Sequence, residues 1–268
     1  MHHLVSQRLN AERIVVLGWS RAILLQLAHP LVAAGVAEHS SFHAGRISAI
    51  LRLHHTIHAM LALAFGGDAS RQRALDGIKA IHRRVHGHLP TAAGTFPAGT
   101  PYSAEDAELV LWVHATLLES IPLAYELLVR PLTPVERDGY CGEAASIAID
   151  LGAHGDDVPR TWSENAAYME RMYRSGTIAV SAQARTLSAL VVSPPFGWLV
   201  APATWMNRLV TLGLLPGDIR HQYAFTWSRR HAKALAVAAR LIRSTRRVMP
   251  DAIALWPEAR RPADIIPA

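Results

Sequence analysis

Residues 37–66 read AEHSSFHAGRISAILRLHHTIHAMLALAFG, and residues 71–87 read RQRALDGIKAIHRRVHG. Nearly half of the 15 histidines of the chain lie in these two segments, which otherwise have the apolar periodicity of helices. The pattern therefore places several imidazoles, together with Glu38 and Arg52, against hydrophobic neighbours. This combination predicts a pocket for a metal ion or a haem.

The helical periodicity continues on both sides of these segments, and no stretch alternates with the period of two that marks a strand. We expect an all-α fold of about ten helices. One helical domain is predicted for residues 1–256, and residues 257–268 form a Pro-rich tail that we expect to be poorly ordered. The predicted helices span residues 10–28, 31–36, 45–65, 69–86, 103–128, 134–151, 161–174, 177–190, 203–211 and 218–249.

Local chemistry predicts several helix ends. Asn10 and Ser103 are predicted N-caps, with Asp106 completing a capping box after Ser103. Thr133 is expected to cap the helix that starts at Pro134. Gly87 is expected to close the helix that contains His82 and His86.

Composition excludes several classes of protein. The net charge of +6 comes mostly from arginines in helical segments, which lack the interleaved aromatics of a nucleic-acid reader. We expect solvated helix faces there, with haem propionates or a membrane surface as the alternatives, the latter by peripheral contact. The chain has no GxGxxG after a strand, no Walker loop and no GxSxG elbow, so nucleotide-dependent chemistry and the common serine hydrolases are unsupported.

Cys141 is the only cysteine, and we expect it to be a small buried core residue. It can form no intramolecular disulfide, and no CxxCH site exists for covalent haem attachment, so any haem would be held non-covalently. The first residues lack the pattern of a signal peptide, which makes the cytoplasm the expected location.

Three HxxxH pairs offer a zinc site as one alternative: His39 with His43, His54 with His58, and His82 with His86. Carboxylates are sparse nearby and no ExxH occurs, which disfavours a di-iron centre. The plainer interpretation of each histidine is a core or surface side chain bonded to a backbone carbonyl.

His82 differs from the other histidines because helical spacing places it on one stripe with Leu75, Ile78, Ile81 and Val85. An inward, neutral imidazole there would suit a metal or haem ligand. Arg52, in an apolar helix, would be costly to bury alone, so an ion pair with Glu38 is its structural alternative. Thr56 lies four residues after Arg52 on the same face, where it could equally be an ordinary helix residue.

An ordered set of motifs resembles a known family. The motifs are LLQLAHP at 24–30, Gly35-Val36, Glu38-His39-Ser40, RxxxT from Arg52 to Thr56, Phe65-Gly66, HxxVxG from His82 to Gly87, Tyr102-Ser103-Ala104, WVHAT at 112–116, and Leu215-Pro216 followed by Tyr223. Each motif is short, but their order extends over most of the chain. The sequence resembles the oxygenases that include the bacterial latex-clearing proteins and the fungal oxygenase of mycophenolic acid synthesis.

The resemblance implies an all-helical, globin-reminiscent core that binds haem b. It also implies an oxygenase that uses O2 to cleave or oxygenate an apolar, isoprenoid or lipid-like substrate. By their motifs, His82 would be the proximal iron ligand, and Arg52 and Thr56 would line the distal side. Glu38 would match the acid thought to handle an allylic proton. His29 and His114 lie in matched motifs and are expected among the cofactor-binding residues.

His55 stands where rubber oxygenases can carry a lysine able to cap the iron, and we hypothesise that it supplies a sixth ligand in a closed resting state. Rubber oxygenases are secreted, so the lack of an export signal argues against an extracellular polymer as substrate. Two alternatives stay open. One is a non-catalytic haem-binding or lipid-binding helical protein, and the other is a zinc-dependent hydrolase built on the HxxxH pairs.

Overall fold

The structure, a computed structural model, describes residues 4–39, 46–192 and 201–260, with the backbone alone for residues 46–55. Within these ranges the chain forms thirteen α-helices and one small antiparallel sheet, which confirms the all-α prediction. The helices are α1 Val5–Ala11, α2 Val16–Leu27, α3 Pro30–His39, α4 Arg46–Phe65, α5 Asp68–His82, α6 Ala107–Leu128, α7 Pro134–Asp150, α8 Trp162–Arg174, α9 Ala182–Val192, α10 Ala201–Leu214, α11 Gly217–Gln222, α12 Arg229–Arg246 and α13 Asp251–Ala254. The strands are β1 His86–His88 and β2 Pro101–Ser103.

Helix α6 lies at the centre of the fold. It is apolar on nearly every side, so it can be stable only where other helices cover it. Helix α2 packs along it, and the two backbones approach closely at Gly18, where a Cβ atom would lie 2.7 Å from the Cβ of Ala124. Helices α7, α8 and α12 cover other parts of its surface. The core is therefore assembled around one helix that carries His114.

One charged side chain crosses this core. Arg21 of α2 is buried, and its guanidinium donates to the Leu214 carbonyl at 2.8 Å, to the Ser120 hydroxyl at 2.7 Å and to the Glu119 carboxylate at 2.7 Å. A buried guanidinium is tolerated only when its donors are satisfied in this way. Arg21 thus joins α2 to α6 and to the end of α10.

The two ends of the described chain are also joined. Glu12 is buried and accepts hydrogen bonds from Arg246 of α12, with the shortest at 2.8 Å. Asp251 accepts a further bond from Arg246 at 3.1 Å, and Glu12 forms a β-bridge with Leu255. This network breaks the predicted helix at 10–28, because Glu12 is extended between α1 and a short 3-10 turn. Asn10 is inside α1 and does not cap a helix.

Other helix bounds differ from the sequence prediction. Asp106, not Ser103, caps α6, because Ser103 ends strand β2. The predicted helix at 177–190 begins only at Ala182. The predicted helix at 218–249 is divided into α11 and α12 around Ala224, which has a positive φ of 58°. Such a backbone conformation is incompatible with a continuous right-handed helix.

Local signals correctly predicted two other helix starts. Thr133 caps α7 through a capping box with Glu136, and Pro134 occupies the first helical turn. Thr161 caps α8 through the same arrangement with Glu164. Cys141 on α7 is fully buried, as expected. Burial raises the pKa of its thiol to about 12.

The helix predicted to run through His86 ends at His82. Residues 86–88 form strand β1, in which Gly87 pairs with Tyr102 of β2. The predicted inward stripe is also wrong at Ile81, whose side chain is 63% exposed, while Leu75 is buried as expected. His82 and His86 are therefore not two ligands on one helix turn.

Helix α6 is long and apolar enough to cross a membrane. The segment Arg13–Leu27 and helix α3 are so only when they are taken together, and a bend of 105° separates them. No other helix in the described part of the chain has this length and composition. Within the apolar window of α6, 67% of the residues are buried inside the protein. The core helix of a water-soluble fold has the same properties.

Candidate functional site

The C-terminal end of α3 packs against the β-hairpin and brings Glu38 to Tyr102. The Tyr102 hydroxyl donates a short hydrogen bond to Oε2 of Glu38. The phenol lies between two glycines. A Cβ atom at Gly35 would be 3.4 Å from the Tyr102 ring, and one at Gly87 would be 2.7 Å from its hydroxyl and 3.0 Å from the Glu38 carboxylate. Any side chain at position 87 would separate the phenol from the acid.

This pair has a defined protonation. Tyr102 is 5% exposed, and burial together with the hydrogen bond to Glu38 raises its pKa above the ordinary range. The phenol therefore stays protonated and acts as the donor at neutral pH. Glu38 is exposed apart from this contact, so one face of its carboxylate is open to solvent or a ligand.

His39 forms a second bond between α3 and the hairpin. Its Nε2 atom lies 2.9 Å from the carbonyl oxygen of His86. A carbonyl can only accept, so Nε2 must carry the proton. The bond fixes the last turn of α3 next to Glu38, which is the plainer of the two interpretations given above for this histidine.

His82 is the last residue of α5 and lies beside the same hairpin. The backbone turns directly after it, with Val85 N–H donating to the His82 carbonyl at 2.9 Å and Ala104 N–H donating to the Val85 carbonyl at 2.8 Å. Its side chain is half-buried, and burial lowers the pKa of the imidazole, partly opposed by the negative charge of Glu105. The imidazole is therefore neutral at pH 7 and able to ligate a metal.

His29 and His114 are buried, and among the described residues each has a ring nitrogen without a hydrogen-bond partner, Nδ1 of His29 and Nε2 of His114. Burial lowers the pKa of each imidazole to about 4. The ring of His29 packs on Phe96, with the centroids 5.3 Å apart. Buried polar atoms of this kind are uncommon and mark places where a missing water, ion or ligand is worth testing.

His114 shares a face of α6 with Leu118, Ile121 and Tyr125, which follow it at steps of three and four residues. Those three residues belong to a core cluster on which Ile57 of α4 packs. The face of α6 that carries His114 thus continues into the core cluster that also receives Ile57, one residue after Thr56 on α4.

The described residues leave the distal predictions untested. Thr56 is exposed on α4. The side chains of Arg52, His54 and His55 lie outside the described residues, as does His43. The distal role of Arg52, its alternative ion pair with Glu38 and the hypothesis about His55 therefore stay predictions. Among the residues that are described, no three His, Cys, Asp or Glu side chains are close enough to hold a metal ion.

The structure brings Glu38, His39, His82 and the motif of Tyr102 to one end of the fold, while His114 lies inside the core. The sequence motifs included Tyr102, but they did not predict that this residue belongs to the site. Phe96 and Glu105 were not predicted. The tyrosine was detectable only as part of a motif, because its partner Glu38 is 64 residues away.

A scan against protein families matched residues 7–244 to the family described as ER-bound oxygenase mpaB/B′/rubber oxygenase, catalytic domain. Comparisons with curated proteins and with solved structures found no match. The family match includes every residue of the site described above and most of the helical domain. The chain therefore belongs to the mpaB and rubber oxygenase catalytic-domain family, and it is an oxygenase domain of the oxidoreductase class.

Proposed function

We propose that this oxygenase uses non-covalent haem b, which His82 would hold through its imidazole, to cleave or oxygenate an apolar isoprenoid or lipid-like substrate with O2. The observation that carries the proposal is the environment of His82. The residue ends a helix in an HxxVxG motif that resembles the one in the family, is half-buried, and has a pKa that burial lowers. A neutral imidazole is the form that could hold a haem iron.

Other residues are compatible with the same cofactor. Arg83 and Arg84 follow His82 and are exposed, so they could pair with the propionates at the edge of a haem. The unpartnered nitrogens of His29 and His114 leave two buried imidazoles able to face a ligand. His114 shares its face of α6 with residues of the core cluster on which Ile57 of α4 packs, and Arg52 and Thr56 of the same helix would line the distal side of the cofactor.

When bound, the haem would supply the iron at which dioxygen reacts. Glu38 would take up the allylic proton of the substrate as a general base. Tyr102 would hold Oε2 of that carboxylate, so the other oxygen is the one that can accept the proton. His39 would keep the same turn of α3 in place through the His86 carbonyl. Arg52 would orient Glu38 or stabilise negative charge that develops on the distal side.

The test is oxygen consumption by the reduced protein supplied with an isoprenoid such as squalene, with mass spectrometry for carbonyl or oxygenated products. We expect turnover by the wild type and a loss of at least tenfold in Glu38→Gln, while haem content is retained. Glu170→Gln is the matched control, because Glu170 is an exposed acid paired only with Arg174.

Haem that binds without oxygen consumption, across isoprenoids and fatty acids, would instead favour the non-catalytic binder. Zinc in the purified protein, with activity lost on chelation, would favour the hydrolase. Equal turnover by Glu38→Gln and wild type would remove Glu38 from the mechanism but leave the oxygenase itself in place.

A further inference from the structure

Helix α12 carries an unusual distribution of charge. Its 18 residues include Arg229, Arg230, Lys233, Arg240, Arg243 and Arg246, and no acidic residue. Only Arg246 forms a salt bridge within the part of the chain that the structure describes, with Glu12 and Asp251. The other five cations are available to an external partner.

The inward face of α12 is distinct from these cations. Ala239 is buried, and Leu235 and Ile242 pack with it on Leu128 of α6 and Val210 of α10. This apolar face attaches the helix to the core. Elsewhere on α12, His231 stacks on Trp227 and Arg246 pairs with Glu12 and Asp251, while Arg229, Lys233 and Arg240 are exposed.

The cations on the outer surface form one stripe. Arg229, Lys233 and Arg240 follow one another at steps of four and seven residues, and Arg247 continues the series by a further seven. Such steps keep side chains on one face of a helix, and all four residues are exposed. The stripe extends over the full length of the helix.

An apolar stripe lies next to it. Val237 is 56% exposed and Leu241 is 63% exposed, four residues apart on α12, and Val248, which is 81% exposed, lies in the turn directly after the helix. Single exposed aliphatic residues are ordinary on protein surfaces. Several of them beside a line of cations that have no acidic partner in the described residues match the two layers of a lipid surface, the phosphates and the acyl chains.

We propose that the outer face of α12 binds the surface of an anionic membrane. The cationic stripe would contact lipid phosphates, and Val237, Leu241 and Val248 would enter the boundary between headgroups and acyl chains. RNA would bind the cations but offers no partner for the aliphatic stripe, so the two stripes together favour lipid. An apolar substrate, as in the proposed function, dissolves in the bilayer. Binding through α12 would therefore bring the enzyme to the membrane that contains its substrate.

Co-sedimentation of the full-length protein with vesicles tests the proposal. We expect the protein to bind phosphatidylcholine vesicles that contain about 30% phosphatidylserine, because such an anionic surface attracts basic segments. We expect little binding to vesicles of phosphatidylcholine alone. Arg229→Gln/Lys233→Gln/Arg240→Gln should weaken binding about 100-fold, at about fivefold for each cation removed. Val237→Ser/Leu241→Ser should weaken it about tenfold at unchanged net charge.

The matched control is Arg160→Gln/Arg171→Gln/Arg174→Gln, which removes the same charge from exposed residues before and on α8. It should keep wild-type binding. If both triple variants lost vesicle binding equally, net charge alone would explain the binding, and the assignment of the membrane-binding surface to α12 would be wrong. RNA binding that depends on the α12 cations, without vesicle binding, would replace the membrane by a nucleic acid.

Discussion

His114 provides a quantitative test of the buried site. Its imidazole is carried by α6 and is buried in the core, and the pKa of the imidazole falls from 6.5 to about 4 because burial disfavours the charged form. The unfolded chain therefore binds a proton at a pH where the folded chain does not. Stability from the neutral imidazole is fully present above pH 6.5 and is lost as the pH falls toward 4. At about 1.4 kcal/mol for each pKa unit, this loss amounts to roughly 3 kcal/mol.

The perturbation is His114→Leu, which keeps the volume approximately and removes the unpartnered Nε2 atom. At pH 7 we expect its free energy of unfolding to lie within about 1 kcal/mol of wild type, because no hydrogen bond is lost. Between pH 7 and pH 4 the variant should lose roughly 3 kcal/mol less than wild type. His88→Leu, at an exposed histidine, should follow the wild-type curve.

The assay is urea unfolding followed by tryptophan fluorescence at several pH values, on proteins matched for cofactor content. Parallel curves for His114→Leu and wild type would refute a buried, neutral imidazole at this position. A variant that is much less stable at pH 7 and has also lost its cofactor would instead assign His114 to cofactor binding.

Three further predictions concern the core and the hairpin. Tyr102→Phe should lower the free energy of unfolding by about 1 kcal/mol at pH 7 through loss of the bond to Glu38, seen as a melting temperature about 3 °C lower. That deficit should shrink above pH 10, where the unfolded wild-type phenol ionises before the folded one; a deficit independent of pH would contradict it. Arg21→Met should lower the free energy of unfolding in urea by about 3 to 5 kcal/mol, because it leaves Glu119 unpaired. The added substitution Glu119→Leu should restore part of this stability. A decrease of less than about 1 kcal/mol in Arg21→Met would contradict the prediction. Cys141 should resist a thiol reagent until the protein unfolds, because burial raises its pKa to about 12, and rapid labelling of the native protein would be inconsistent with this.

Sequence reasoning predicted those parts of the fold that depend on neighbouring residues. The starts of α7 and α8 were correct because Thr133 and Thr161 each bond to a glutamate three residues later. The all-α class was correct because helical periodicity is repeated in almost every segment. Both signals act within one or two turns of helix, which is the range that a local pattern can report.

The errors lie where distant residues decide the structure. Gly87 satisfies the rule for a helix end, yet it pairs with Tyr102 in the hairpin, and this moves the true helix end back to His82. The requirement for Gly87 comes from the phenol of Tyr102, whereas a Cβ atom at Gly35 would lie 3.1 Å from Cγ1 of Val85 and 3.4 Å from the Tyr102 ring. No local pattern shows either approach.

The candidate site was predictable in part. The motif of His82 indicated a candidate ligand for a metal or haem. The burial of this residue and the nearby charge of Glu105, however, depend on how the hairpin packs. The ion pair of Arg21 was not predictable from local sequence, because its partner Glu119 lies 98 residues further along the chain. Motif order predicted the family, whereas partners such as Tyr102 for Glu38 required the fold.

The central claim is that His82 holds a haem, and the absorbance spectrum tests it most directly. The purified protein, reconstituted with haem if necessary, is recorded before and after reduction with dithionite, for wild type and His82→Ala, with His88→Ala as the exposed control. We expect a Soret band in wild type and His88→Ala that shifts on reduction and is lost or displaced in His82→Ala. A protein that stays colourless after haem is supplied, or a His82→Ala spectrum identical to wild type, would contradict the account.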